Sequence, residues 1–220
     1  MSDAPVHCLH LEPSTVEVWK VPLDPSGAAR EHDLATLTET EIAHALRLGE
    51  SGAPWAQAHT ALRGILGHHL GLAPHAVPLR IGSGGKPELA IASPLRFSMS
   101  RSDGLALVAV ACGRELGVDL ERVNDDLDVN AVAAAFLPPG EIAAIELAPP
   151  ESRRQAFFAA WTRYEARLKL RGTGIGSTDP AEHTPLVLVR AIPLGDRHAA
   201  AVAAEGGSWH VALREWSGQV

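Results

Sequence analysis

The sequence predicts an α+β fold in which one chain contains two similar halves. Three observations predict it. Short strand-like stretches are interleaved with helical ones along the whole chain. Two apolar stretches near the middle are joined by a hairpin-like turn, which favours antiparallel pairing over a doubly wound parallel sheet. The order of strand, helices and several strands then occurs twice, with a join near Gly113 that divides the chain into 1–113 and 114–220. A length of 220 residues suffices for one large core or two small ones.

Taken in order, Val16-Glu17-Val18-Trp19-Lys20-Val21 alternates apolar and polar residues, the period of a half-buried strand. Thr38 to Leu48 reads as a helix opened by Thr-x-x-Glu capping chemistry. A longer helix runs from about Ala56 to Leu70, with Ala58, Leu62, Ile65, Leu66 and Leu70 as its buried stripe and Arg63 off that stripe. A short strand, Leu79 to Ile81, enters the loop Gly82-Ser83-Gly84-Gly85-Lys86-Pro87, whose backbone amides are open to a ligand. Leu95 to Ser100 and Leu105 to Cys112 form strands around the turn at Arg101 to Gly104, and Leu116 to Leu120 forms another. Helical stretches follow at Val129 to Phe136, Pro139 to Leu147 and Ser152 to Arg171, the last stopped by Gly172. Leu186 to Ile192, Ala199 to Ala203 and Trp209 to Arg214 complete the set as strands.

Composition narrows the function classes. Hydrophobic residues make up 46% and charged residues 20%, which is ordinary for a soluble globular enzyme. The formal net charge of −7 gives no whole-protein footprint for nucleic acid. The two cysteines, Cys8 and Cys112, lie far apart in no metal-ligand spacing. They indicate no disulfide framework, in keeping with a reducing cytoplasm. No basic region followed by an apolar run marks the N-terminus, and the apolar run Leu105 to Cys112 is too short to span a bilayer. The expectation is a cytoplasmic protein without membrane or nucleic-acid partners.

Chemistry concentrates at two places. In Gly117-Val118-Asp119-Leu120-Glu121, the carboxylates stand two apart on a strand and project from one face. Carboxylates held close repel each other unless a cation or proton intervenes, and a small set of hard oxygen ligands suits magnesium. Alone, Asp-x-Glu is an ordinary polar strand face. In Trp161-Thr162-Arg163-Tyr164-Glu165-Ala166-Arg167-Leu168-Lys169, Trp161, Glu165 and Lys169 lie along one side of a helix, one turn apart. Alone, Glu165 and Lys169 make a common exposed ion pair.

Taken together these blocks carry a family resemblance. Gly-Val-Asp-x-Glu, then about forty residues, then Trp-Thr-x-x-Glu-Ala-x-x-Lys, resembles the signature of the 4′-phosphopantetheinyl transferases. The length is similar to that of the larger, Sfp-type branch, whose single chain holds two halves related by a pseudo-twofold axis. Three more blocks agree in order: Ala61-Leu62-Arg63-Gly64-Ile65-Leu66, Gly85-Lys86-Pro87, and Phe97-Ser98-Met99-Ser100-Arg101-Ser102. The resemblance covers residues from about 55 to 175.

The resemblance implies transfer of the 4′-phosphopantetheine arm of coenzyme A to a serine of an acyl or peptidyl carrier protein, with release of 3′,5′-ADP. It implies that Asp119, Glu121 and Glu165 hold magnesium, that Glu165 accepts the serine proton, and that Lys169 contacts the phosphates. Arg63 and Lys86 would bind the nucleotide side, with Ser100 and Arg101 in the phosphate loop. Trp161 and Phe97 would be core residues, and the histidines His7, His10, His68 and His69 have no ligand spacing. Two positions depart from the family pattern. Arg101 stands where the family has histidine, and Tyr164 stands where a lysine precedes the glutamate. Arg163 and Arg167 point around the helix from that missing lysine. A coenzyme A-binding regulatory or scaffolding protein of the same fold is therefore the alternative. Fatty-acid, polyketide and nonribosomal-peptide carriers all remain open, and a monomer is the default for a two-half chain.

Overall fold

The computed structural model describes residues 8–24, 31–82, 86–173 and 186–218. The mixed α+β class is as expected. Nine strands and six α-helices are described: β1 (Thr15–Pro22), α1 (Glu31–Thr36), α2 (Glu39–Arg47), α3 (Gly52–Leu70), β2 (Leu79–Ile81), β3 (Pro87–Leu89), β4 (Leu95–Ser102), β5 (Leu105–Cys112), β6 (Leu116–Arg122), α4 (Val129–Phe136), α5 (Pro139–Leu147), α6 (Arg153–Arg171), β7 (Val187–Ala191), β8 (His198–Glu205) and β9 (His210–Glu215). Neither α1 nor β3 shows in the periodicity of the sequence.

Local chemistry accounts for most boundaries. Thr38 and Glu41 close a reciprocal capping box at the start of α2. Asp103 and Gly104, both with positive φ, turn β4 into β5 through a two-residue hairpin. That turn is tighter than the sequence indicates, so Arg101 and Ser102 extend β4. The long helices α3 and α6 each end on a left-handed glycine, Gly71 and Gly172, both at φ 67°.

One sheet has the order β4-β5-β1-β9 and the other β6-β8-β7, with β2 and β3 as a separate hairpin. Pairing is antiparallel except between β1 and β9, which run parallel. Alternating residues of β1 enter two cores. Trp19 and Val21 pack under α3 with Leu62, Ile65 and Leu66. Val16 and Val18 face the second sheet through Leu116, Val118, Leu120 and Val202. Ala166 and Leu170 of α6 cover the far side of that sheet against Ala201 and Ala203. The result is four layers, helix–sheet–sheet–helix.

The two halves repeat an element order. A nine-residue helix, a 3-10 turn and a nineteen-residue helix occur as α2–α3 and again as α5–α6. The sheet order β4-β5-β1 corresponds to β7-β8-β6. The division at residue 113 does not separate the sheets, however. β9 crosses from the C-terminal end to pair with β1, Thr15 opposite His210 through Lys20 opposite Glu215.

The cysteine expectation is corrected. Cys8 and Cys112 are joined by a disulfide, with Cα atoms 6.0 Å apart across a sequence separation of 104. The bond ties the segment before β1 to the end of β5. It also removes the argument for a reducing compartment that the distant cysteines had supplied. No helix among the described residues is long and apolar enough to cross a membrane.

Candidate active site

The site forms where the edge strands of the two sheets meet. On β6, Val118 and Leu120 enter the inter-sheet core, while Gly117, Asp119 and Glu121 face α6. Gly117 permits the helix to lie there. A Cβ at this position would run into the Ala166 carbonyl and the backbone of Lys169 and Leu170. The close approach of β6 and α6 brings Lys169 onto Asp119.

A row of serines on β4 stitches the seam. The Ser98 hydroxyl accepts the Val118 N–H at 3.1 Å, and the Ser102 hydroxyl accepts the Arg122 N–H at 3.0 Å. Both amides belong to the open edge of β6, so these hydroxyls satisfy an edge that the sheet leaves unpaired. Between them Ser100 donates to Asp119 Oδ1 at 3.1 Å, and Ser102 also donates to Glu121 Oε2 at 3.4 Å. Ser100 is thus a buried residue within β4. The Ser-x-Ser-x-Ser spacing was the signal for this seam.

Lys169 Nζ completes the network, donating to Asp119 Oδ1 at 2.7 Å and to Ser100 Oγ at 2.8 Å. Asp119 is 2% exposed, and its Oδ2 is buried without a hydrogen-bond partner. Burial, with the charge of Asp119, raises the proton affinity of both Glu121 and Glu165, and Glu165 adds to the effect on Glu121. The Lys169 ammonium opposes the rise at both glutamates. Asp119, Glu121, Glu165 and Lys169 therefore form one electrostatic unit.

The remaining candidates lie elsewhere. Arg63, expected at a phosphate, is 2% exposed. Its Nε donates to both oxygens of Glu41, and its Nη1 donates to the carbonyls of Pro74 and Val77. It locks α2 and the turn after α3 onto α3, away from the carboxylates. Arg101 follows Ser100 on β4 and so points to the opposite side, where it is exposed. Lys86 donates to the Lys169 carbonyl at 3.0 Å, placing a cation on the C-terminal turn of α6, and burial lowers its pKa. It lines a cavity of about 670 Å³ with Arg80, Arg96, Glu115, Leu170 and Arg171. Of the Gly82–Pro87 loop, residues 83–85, Gly85 among them, lie outside the described set.

Trp161 stacks on Phe157 at 6.0 Å and meets Phe136 and Tyr164, joining α4 to α6. Arg163 pairs with Glu141 of α5 at 2.7 Å. His68 stacks on His10, and His69 is buried with Nδ1–H donating to the Leu9 carbonyl. His7 lies outside the described residues.

This geometry can be set beside known proteins. Residues 115–213, which contain β6, α6 and all four members of the unit, match the 4′-phosphopantetheinyl transferase superfamily. The 4′-phosphopantetheinyl transferase HetI of Nostoc sp. is 34% identical over 211 residues, covering 88% of this chain and 89% of its own length. The chain belongs to the 4′-phosphopantetheinyl transferase superfamily. The transferase AcpT of Escherichia coli O157:H7 is 31% identical over 157 residues, 70% of this chain and 78% of that protein. The L-aminoadipate-semialdehyde dehydrogenase-phosphopantetheinyl transferase of Eremothecium gossypii is 32% identical over 131 residues, 54% of this chain and 46% of that one. As a phosphopantetheinyl transferase, the protein carries its buried aspartate and paired glutamates inside the matched segment.

Proposed function

We propose that this transferase moves the 4′-phosphopantetheine arm of coenzyme A onto a serine of an acyl or peptidyl carrier protein and releases 3′,5′-ADP. The observation that carries the reading is the buried Asp119, with an unpartnered Oδ2, facing two glutamates whose proton affinity it raises. Such a set attracts a divalent cation. Among the described residues no group of three His, Cys, Asp or Glu closes on one point as a preformed cage. Magnesium does not require one, because it binds through one or two protein carboxylates and fills its shell with water and substrate phosphate. Asp119, Glu121 and Glu165 are the residues that would hold it, and there it supplies charge neutralisation for a diphosphate.

The chain's own groups then have distinct tasks. The serine oxygen of the carrier bonds to the phosphorus bearing the pantetheine arm. The bond from that phosphorus to the bridging oxygen breaks, and 3′,5′-ADP leaves with the electron pair. Glu165 takes the serine proton. Lys169 offers the transferred phosphate a point charge. Lys86 holds the last turn of α6 in place. We infer further that the two halves are related by a pseudo-twofold axis, as in the Sfp-type branch, which the repeated α2–α3 and α5–α6 order supports. The protein acts as a cytoplasmic monomer in this reading.

Intact mass spectrometry of an apo carrier incubated with the protein, coenzyme A and magnesium tests the reading. The carrier gains the arm, and Glu165→Gln abolishes the gain while leaving the fold intact. Coenzyme A binding without transfer to any of several carriers would instead identify a regulatory protein of the same fold.

A further inference from the structure

The three carboxylates share one cation. Lys169 Nζ bonds Asp119 Oδ1 and Ser100 Oγ, and its charge also acts on Glu121 and Glu165. The other oxygen of Asp119 stays buried and unpartnered, and no closed three-ligand cluster exists among the described residues. The ammonium occupies one edge of the aspartate and leaves Oδ2 untouched. It offsets part of the repulsion among the carboxylates, and both glutamates keep a raised proton affinity.

We propose that Lys169 is the resident counter-ion of the metal site, holding Asp119 until a divalent ion and a diphosphate arrive together. The inference rests on Asp119, Glu121 and Glu165 being the metal ligands. A divalent ion entering alone meets an ammonium already bonded to its principal ligand, and the two cations repel. When a diphosphate enters with the ion, the ammonium gains a second anion and can leave Asp119. Metal and coenzyme A therefore bind with positive coupling, and Lys169 is the source of that coupling. Ser100 is a positioning residue in this scheme, since its hydroxyl anchors the ammonium from the other side.

The test measures Mn²⁺ binding to the full-length protein by electron paramagnetic resonance, with and without coenzyme A, beside thermal unfolding in chelator. The native protein binds Mn²⁺ at least about tenfold more tightly with coenzyme A than without it, a coupling within the usual allosteric range. Lys169→Met binds Mn²⁺ alone about tenfold more tightly than the native protein and loses the coupling. Its Tm in chelator falls by about 10 °C, because a buried carboxylate has lost its partner, and added Mn²⁺ restores it. Lys169→Arg keeps the native pattern.

An ordinary structural ion pair would lower the Tm of Lys169→Met without tightening Mn²⁺ binding, and that result overturns the proposal. Should Lys169→Met not fold, Ser100→Ala serves in its place: it frees the ammonium of one anchor and tightens Mn²⁺ alone, and unchanged affinity overturns the proposal equally. The underlying site reading is tested separately. Asp119→Asn loses Mn²⁺ binding, and native-like binding by that variant would reject the metal ligands themselves.

Discussion

Arg63 illustrates how burial decides the use of a cation. Its place in a block resembling the family's arginine-bearing helix assigns it to a nucleotide phosphate. In the fold its guanidinium is enclosed by Glu41 and by the carbonyls of the turn after α3. Replacing it with methionine leaves the Glu41 carboxylate without its guanidinium and several carbonyls without donors, a loss of about 3 kcal/mol. Urea denaturation of Arg63→Met should show that loss, with coenzyme A affinity changed less than threefold once folding is corrected for. The opposite pattern, weak binding at native stability, would return Arg63 to the ligand. The grouping of Asp119, Glu121, Glu165 and Lys169 in space was legible because strand and helix periods fix which side chains share a face. Arg63 was not, because its partners are 22, 11 and 14 positions away along irregular connections.

At the scale of elements, the contact between β6 and α6 sets the site. Gly117 is the narrowest point of that contact. Gly117→Ala must push the helix outward, at a cost of about 1–3 kcal/mol, and it displaces Glu165 and Lys169 together. Transfer measured by carrier mass should fall at least about tenfold, since misplacement of about 1 Å costs more than that. The packing of α3 yields a different expectation. The His59 ring stacks on Trp55 at 3.6 Å, and Nδ1–H donates to the Trp55 carbonyl at 2.9 Å. Burial pushes its pKa down to about 4 from 6.5. The unfolded chain therefore binds the proton more readily. The stabilisation is complete above pH 6.5 and is lost as pH falls from 6.5 through about 4, by at most about 3 kcal/mol. Denaturation of His59→Phe at several pH values should give a shallower acid limb over that window, and an unchanged slope would assign the limb to other groups. Strand and helix positions along the chain were readable from periodicity and turn residues. The pairing of β9 with β1 was not, because it joins segments 195 positions apart and leaves no local trace.

For the whole molecule, that pairing predicts that neither half folds by itself. β9 covers the side of β1 opposite β5, and Trp209 packs into the inter-sheet core. Trp216, just after β9, packs against the core beneath α3 and meets Trp19 edge-on. A fragment of residues 1–113 should stay unfolded by circular dichroism and amide exchange, and the chain truncated at residue 206 should lose most of its cooperative transition. An independently folded 1–113 fragment would contradict this. The Cys8–Cys112 disulfide adds a covalent tie within the first half only, so it does not replace β9.

The two nineteen-residue helices α3 and α6 differ at corresponding positions. Counting back from the glycine caps Gly71 and Gly172, His68 stands at the place of Lys169 and Gly64 at the place of Glu165. On β1 the face toward α3 carries Trp19 and Val21, and Glu17 on that same face meets His69 of α3 at 3.3 Å. The corresponding turns of α3 thus carry no glutamate–lysine pair, while Glu17 keeps a buried carboxylate beneath that helix. Room left beside Gly64 is filled by the Trp216 ring, which a larger residue there would displace. The two long helices therefore serve different ends: α6 presents Glu165 and Lys169 beside β6, and α3 receives the segment that follows β9.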